Sequence, residues 1–176
     1  MAKEVMIVVG AGQILLAIAR RMGYGKQILL GDKSEGNAKA IGKVLEEAGF
    51  DVTTTVMDLS DRASIQAMVK KATSMGPVPV KYLVNGAGVS PSQASIETIL
   101  KVDLYGTAVL LEEVGKVIEE GGAGIVISSA NPGFRMKQLT PEEDRQLALT
   151  PTEELLDLPP SSRGKHRNHP ASLPTG

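Results

Sequence analysis

The sequence predicts an α/β protein built on a doubly wound parallel sheet of five strands with helices on both faces. Three observations predict it. Val5 to Val9 is an unbroken apolar run rich in β-branched residues, as a strand buried on both faces requires. Gly10 and Gly12 break that run, and Ile14, Leu15, Ile18 and Met22 then recur at helical spacing. From there strand-like and helix-like stretches alternate as far as Ser129, which with right-handed crossovers makes the strands parallel.

The elements follow in order. The first helix starts at Gln13 and stops at Gly23, and Lys26 to Asp32 reads as a short second strand. Ser34 is an N-cap for a helix over Ala38 to Ala48, which Gly49 ends. Asp51 to Met57 is strand-like, with three threonines between Val52 and Val56. Ser60 and Asp61 start a helix that runs to about Met75 and closes at Gly76-Pro77. Val80 to Asn85 is the fourth strand. A long helix is expected from Ser95 to Glu119, with Ile96, Ile99, Leu100, Leu104, Ala108, Leu111, Val114 and Ile118 on one apolar face. Gly121 to Gly124 should end it, leaving Ile125 to Ser128 as the fifth strand.

Three segments are therefore expected: a folded domain over residues 1–130, an irregular or helical extension over 131–158, and a tail over 159–176. Helical promise in the extension lies around Glu142 to Leu147 and Thr152 to Leu158. The 18 residues from Pro159 hold four prolines, three positive charges, no acids and one leucine, so they cannot offset the entropy of ordering. His166 and His169 lie in this tail, where a solvated segment outweighs a metal pair. No metal site is expected.

Composition removes whole classes of function. With no cysteine there is no disulfide, thiolate metal site or cysteine nucleophile. A formal charge of −1 gives no attraction to nucleic acid or an anionic membrane, and aromatics at 3% offer no base-stacking platform. No apolar run reaches membrane-spanning length, and Met1-Ala2-Lys3-Glu4 lacks a signal-peptide pattern, so a cytoplasmic protein is expected.

In such a sheet, ligands bind beyond the carboxyl ends of the strands. Gly10 and Gly12, Asp32, Asp58, Asn85 to Gly88, and Ser128 with Ser129 all fall at that edge. A glycine turn feeding a helix N-terminus suits a pyrophosphate, or is simply a tight turn. Asp32, 22 residues after Gly10, is spaced to accept from an adenosine ribose, or caps the next turn. Its charge repels a 2′-phosphate and so favours NAD over NADP, unless Lys33 turns inward and compensates. Asp58 contacts a ligand or starts the next helix. Gly86 and Gly88 admit a ligand closely or make a turn.

These residues together resemble the short-chain dehydrogenase/reductase family, over roughly Lys3 to Ala130. The resemblance rests on the Gly-Ala-Gly turn, Asp32, Asp58, Val84-Asn-Gly-Ala-Gly88, Val102-Asp-Leu-Tyr-Gly106 and Ile127-Ser-Ser129. It implies a Rossmann-type domain of strand order 3-2-1-4-5, a nicotinamide dinucleotide, and hydride exchange with a small alcohol or carbonyl. It further implies cofactor contacts at Gly10, Gly12, Gln13, Ile14, Asp32, Asp58, Leu59, Asn85, Gly86, Ala87 and Gly88. Ser129 resembles the serine that hydrogen-bonds the substrate oxygen, and the long helix over 95–119 offers a face for a homo-oligomer.

The chain also departs from the pattern. Leu15 occupies the third glycine of Gly-x-Gly-x-x-Gly, where it should force helix and strand apart or reorient, at roughly 1–3 kcal/mol, and weaken dinucleotide binding. Asp103 stands where relatives carry an asparagine, which puts a relay water in doubt. The family's proton-exchanging tyrosine has a lysine four residues on, but Tyr24, Tyr82 and Tyr105 are followed at that spacing by Ile28, Gly86 and Val109. A truncation or frame change near Leu158 is the expected cause. An impaired oxidoreductase, a non-catalytic nucleotide-binding module and a non-functional product are the readings that follow. A methyltransferase fits Val84 to Gly88 and Ile127 to Ser129 poorly.

Overall fold

The computed structural model describes residues 3–128 and 139–159. Contacts divide the chain into two units, Met1–Ser128 and Ser129–Gly176. The first unit holds one parallel sheet of five strands in the order β3-β2-β1-β4-β5. Its strands are β1 (Val5–Val9), β2 (Gln27–Asp32), β3 (Asp51–Val56), β4 (Val80–Asn85) and β5 (Ile118–Val126). Its helices are α1 (Gln13–Met22), α2 (Glu35–Glu47), α3 (Arg62–Thr73), α4 (Ile96–Ile99) and α5 (Thr107–Gly115), with a π-helical turn, Leu100–Gly106, joining the last two.

β1 is central because every one of its side chains is apolar, and all five are at most 1% exposed. Its alternate residues feed two cores. Val5, Ile7 and Val9 join Ile65, Met68 and Val69 of α3 and Val109, Leu110 and Val114 of α5 on one face. Met6 and Val8 join Leu15, Leu16 and Ala19 of α1 and Leu45 of α2 on the other. Each fully buried aliphatic side chain contributes about 1.5–3 kcal/mol, so both faces of the sheet must be covered for β1 to be worth burying.

Local chemistry sets the helix starts. Ser34 caps α2 by accepting from Asn37 N–H, and Asp61 caps α3 by accepting from Ala63 N–H. In the second unit, Thr140 and Glu143 form a reciprocal capping box that starts α6 (Pro141–Leu149), and a short 3-10 turn covers Thr152–Glu154.

The expected single helix over residues 95–119 is corrected. It breaks into α4, the π-helical turn and α5, and it ends at Gly115. β5 begins at Ile118, where the sequence pattern still reads as helix, and runs through the glycines expected to be a turn. Non-local pairing decides this: Ile118 pairs with Val80 and Ala123 with Tyr82, so the intervening residues bulge out of the ladder. The buried helical stripe matches the expected one only in part. Val114 is buried as expected, Val109 and Leu110 are buried outside the expected face, and Ile96 and Leu111 are exposed.

Candidate functional site

The carboxyl ends of the strands form one hydrogen-bonded rim. Met57 N–H donates to Asp32 O at 3.0 Å, Gly10 N–H to Gly31 O at 2.7 Å, Gly86 N–H to Val9 O at 3.0 Å, and Ile127 N–H to Asn85 O at 2.8 Å. Each bond joins the ends of neighbouring strands, so Asp58, Asp32, Gly10 with Gly12, and Asn85 with Gly88 follow one another along one edge in the order β3-β2-β1-β4.

At its centre the chain leaves β1 through Gly10, whose φ of +101° an L side chain rarely adopts. Gly12 is the N-cap of α1 and offers no side chain to its first turn. The N–H groups of Gln13, Ile14 and Leu15 therefore lack the partners that a cap would supply, at the positive end of the helix dipole. Gln13 and Ile14 are exposed there. Asp32 faces the same turn: its Oδ2 accepts from Ala11 N–H at 2.7 Å and its Oδ1 from Ser34 N–H at 2.8 Å. Those bonds fix the carboxylate and leave each oxygen a further lone pair for a hydroxyl.

Asp58 stands beyond the end of β3. Its Oδ1 accepts from Ser60 N–H at 2.9 Å and from Ser60 Oγ at 2.7 Å, and its Oδ2 meets Lys33 Nζ at 2.8 Å. Burial pushes its pKa up, but the bonds from Lys33 and Ser60 outweigh burial and bring it down to about 2. Leu59 places its side chain in the core, which leaves any ligand contact to its backbone.

Asn85 is buried, donates through Nδ2 to Thr107 Oγ1 at 3.4 Å, and accepts at Oδ1 from Ala87 N–H at 3.2 Å. Thr107 was not expected here, because nothing in the local sequence links α5 to the end of β4. Asp103 in the π-helical turn accepts from Val89 N–H at 3.0 Å and so ties down the loop after Gly88. Partial desolvation holds its carboxyl above the usual aspartate range, against the lowering effect of that N–H.

The wedge expected from Leu15 is corrected. A Cβ on Gly86 would lie 2.5 Å from Leu15 Cδ2 and 2.9 Å from Cγ, so the leucine fills the space that Gly86 leaves open. Leu15 is 2% exposed and packs in the core under α1.

A family model of the short chain dehydrogenases matches residues 4–140. The chain belongs to the short-chain dehydrogenase/reductase family. It is 39% identical over 160 residues to the short-chain dehydrogenase/reductase bsc3 of Alternaria brassicicola, covering 90% of this chain and 57% of that protein. It is 31% identical over 142 residues to a levodione reductase of Leifsonia aquatica, covering 74% and 53%. Among solved structures, a short-chain dehydrogenase/reductase mutant from Serratia marcescens superposes with a TM-score of 0.64 at 26% identity, over 73% of this chain and 56% of the other. One from Burkholderia phymatum in complex with NAD has a TM-score of 0.65 at 23% identity, over 73% and 50%. The chain spans little more than half the length of these curated relatives.

The three tyrosines lie in three different settings. Tyr24 is 87% exposed in the turn between α1 and β2, at the opposite edge of the sheet. Tyr82 lies beside Lys26, and its pKa is raised, first by the charge of Glu4. Tyr105 packs against the core. Ser129, the expected substrate-binding serine, lies outside the described residues, as do His166 and His169. Among the described residues, no group of three metal-ligating side chains converges, and no helix is long and apolar enough to cross a membrane.

Proposed function

We propose that this chain binds a nicotinamide dinucleotide along the carboxyl rim, NAD in preference to NADP, in a cytoplasmic setting. The observation that carries the reading is the pairing of an uncapped α1 N-terminus with a carboxylate held on the same turn, Asp32 on Ala11 N–H. The N–H groups at the start of α1 would take the pyrophosphate, and Asp32 the adenosine ribose hydroxyls. Gly86, Ala87 and Gly88 let the backbone border the nicotinamide side, with Asn85 holding that loop in shape. A bound nicotinamide supplies hydride exchange with an alcohol or carbonyl.

Within these 176 residues no tyrosine precedes a lysine by four positions, and Ser129 alone stands for the family's substrate-facing groups. Hydride transfer by this chain is therefore impaired, by about two to four orders of magnitude, the usual contribution of a positioned acid or base. The misplaced tyrosines favour a second reading, a nucleotide-binding module without catalysis. Calorimetric titration with NADH, NADPH and S-adenosylmethionine, followed by assay against a panel of carbonyls, separates the two. NADH binding with slow turnover supports the impaired oxidoreductase; binding without turnover supports the module; binding of S-adenosylmethionine alone overturns both. Exposure of Ile96 and Leu111 further supports self-association through the helix face.

A further inference from the structure

The ends of β2 and β3 carry three charges that act as a unit. Asp32 closes β2, Lys33 follows it, and Asp58 stands just beyond β3. Lys33 is directed to Asp58 and not to Asp32: Nζ lies 2.8 Å from Asp58 Oδ2, while both oxygens of Asp32 take backbone N–H groups. Ser60 holds Asp58 in that pose by giving both its N–H and its hydroxyl to Oδ1. Glu35, the next acid along the chain, has its own partner in Lys39 at 2.7 Å. The trio thus carries two negative charges and one positive, with its ammonium already taken.

We propose that Asp58 sets the choice between the two nicotinamide dinucleotides by withholding Lys33 from a 2′-phosphate. This rests on the dinucleotide reading above. A phosphate monoester brings about −1.5 to −2 charges at neutral pH, and beside Asp32 it needs a free cation. The Lys33 side chain is 75% exposed, so its pair with Asp58 is weak enough to exchange partners. Exchange does not help NADP, because it leaves Asp58 as a second bare carboxylate at the same edge. Asp58 is in this respect a positioning residue acting through Lys33.

The test is the ratio of dissociation constants for NADH and NADPH, measured by fluorescence titration on the full chain. Asp58→Asn keeps an oxygen for Ser60 N–H and removes the charge, so the ratio should move towards NADPH by about tenfold. Adding Lys33→Met to that variant should return the ratio towards that of the starting protein, and about 0.5 M salt should shrink the shift. A purely structural loss at Asp58 would weaken both dinucleotides alike. If NADH binds and the ratio is unchanged in Asp58→Asn, or the shift persists with Lys33→Met, the proposal is overturned and the dinucleotide reading stands. If neither dinucleotide binds the starting protein, both fall together.

Discussion

Leu15 and Gly86 exchange sizes across the crevice between α1 and the end of β4. Taken alone, a leucine at the third glycine position predicts overpacking, and the residue that absorbs it lies in the loop just after β4, beyond the reach of any local pattern. The pair should be strongly coupled. Gly86→Ala puts a methyl group against Leu15 Cγ and Cδ2 and should cost about 1–3 kcal/mol in urea denaturation. Leu15→Ala should cost about 2–5 kcal/mol by itself. The double variant should lose less than the sum, because the new methyl occupies part of the cavity; strict additivity would mean that the two side chains do not share space. Asp103 offers a second residue-scale test. Its folded pKa is raised by desolvation, so its favourable contribution is complete below the unfolded value near 3.9 and is lost as pH rises through the folded value. Asp103→Asn keeps an acceptor for Val89 N–H without the charge. Its stability relative to the starting protein should therefore grow as pH rises above about 4, which denaturation midpoints at several pH values would read directly.

The helix from Ile96 to Gly115 shows what a hydrophobic period can and cannot tell. It carries apolar residues on two sides, and the sequence does not say which side meets the sheet. Contact with the loop after β3 decides: a Cβ on Gly106 would collide with Leu59 O, so only glycine allows the helix to seat with Val102, Tyr105 and Val109 inward. The strand that follows was hidden for a related reason, since Val117 and Ile118 extend the helical period while the partners that make β5 a strand lie on β4. Strands β1 and β4 were legible to the residue, β1 by its unbroken apolar run and β4 by an apolar run that only Lys81 interrupts before Asn85. An ion cluster clamps α5 to α3: Arg62 reaches Glu113 at 2.6 Å and Glu112 at 3.1 Å, and Lys116 reaches both at 3.1 Å. Hydrogen bonds from Arg62 and Lys116 bring Glu112 to about 2, and those from Lys116 and Gln66 lower Glu113. Both acids thus add stability that is present above about pH 4.5 and is lost as pH falls through their lowered folded values, about 2 for Glu112. In the double variant Glu112→Gln/Glu113→Gln, thermal midpoints should be lower near neutral pH and should fall less steeply on acidification. A midpoint that falls as steeply as in the starting protein would assign acid lability to other groups.

At the scale of the first unit, topology was the most legible feature because each strand-helix step declares itself locally and the handedness of crossovers leaves few ways to assemble them. Surfaces that await a partner are less legible, since the sequence marks them with the same apolar residues it uses for the core. Two apolar surfaces are exposed among the described residues. Among the described residues β5 has a strand neighbour on one side only, and Ile125, Val126 and Ile127 are each about two-fifths exposed along it. On the helix, Ile96 and Leu111 stand outward at 56% and 46% exposure. An open strand edge recruits further strands without a fixed stoichiometry, whereas a helix face pairs with itself about a two-fold axis and closes. The two surfaces should therefore fail differently when charged. On the proposed self-association through the helix face, Leu111→Glu should lower the sedimentation coefficient to that of a monomer and leave large aggregates unchanged. Val126→Lys should remove large aggregates, read by light scattering on heating, and leave the sedimentation coefficient of the remaining species unchanged. If Leu111→Glu leaves the sedimentation profile unchanged, the helix face is not the dimer contact, and its exposed leucine is a surface residue of no consequence for assembly.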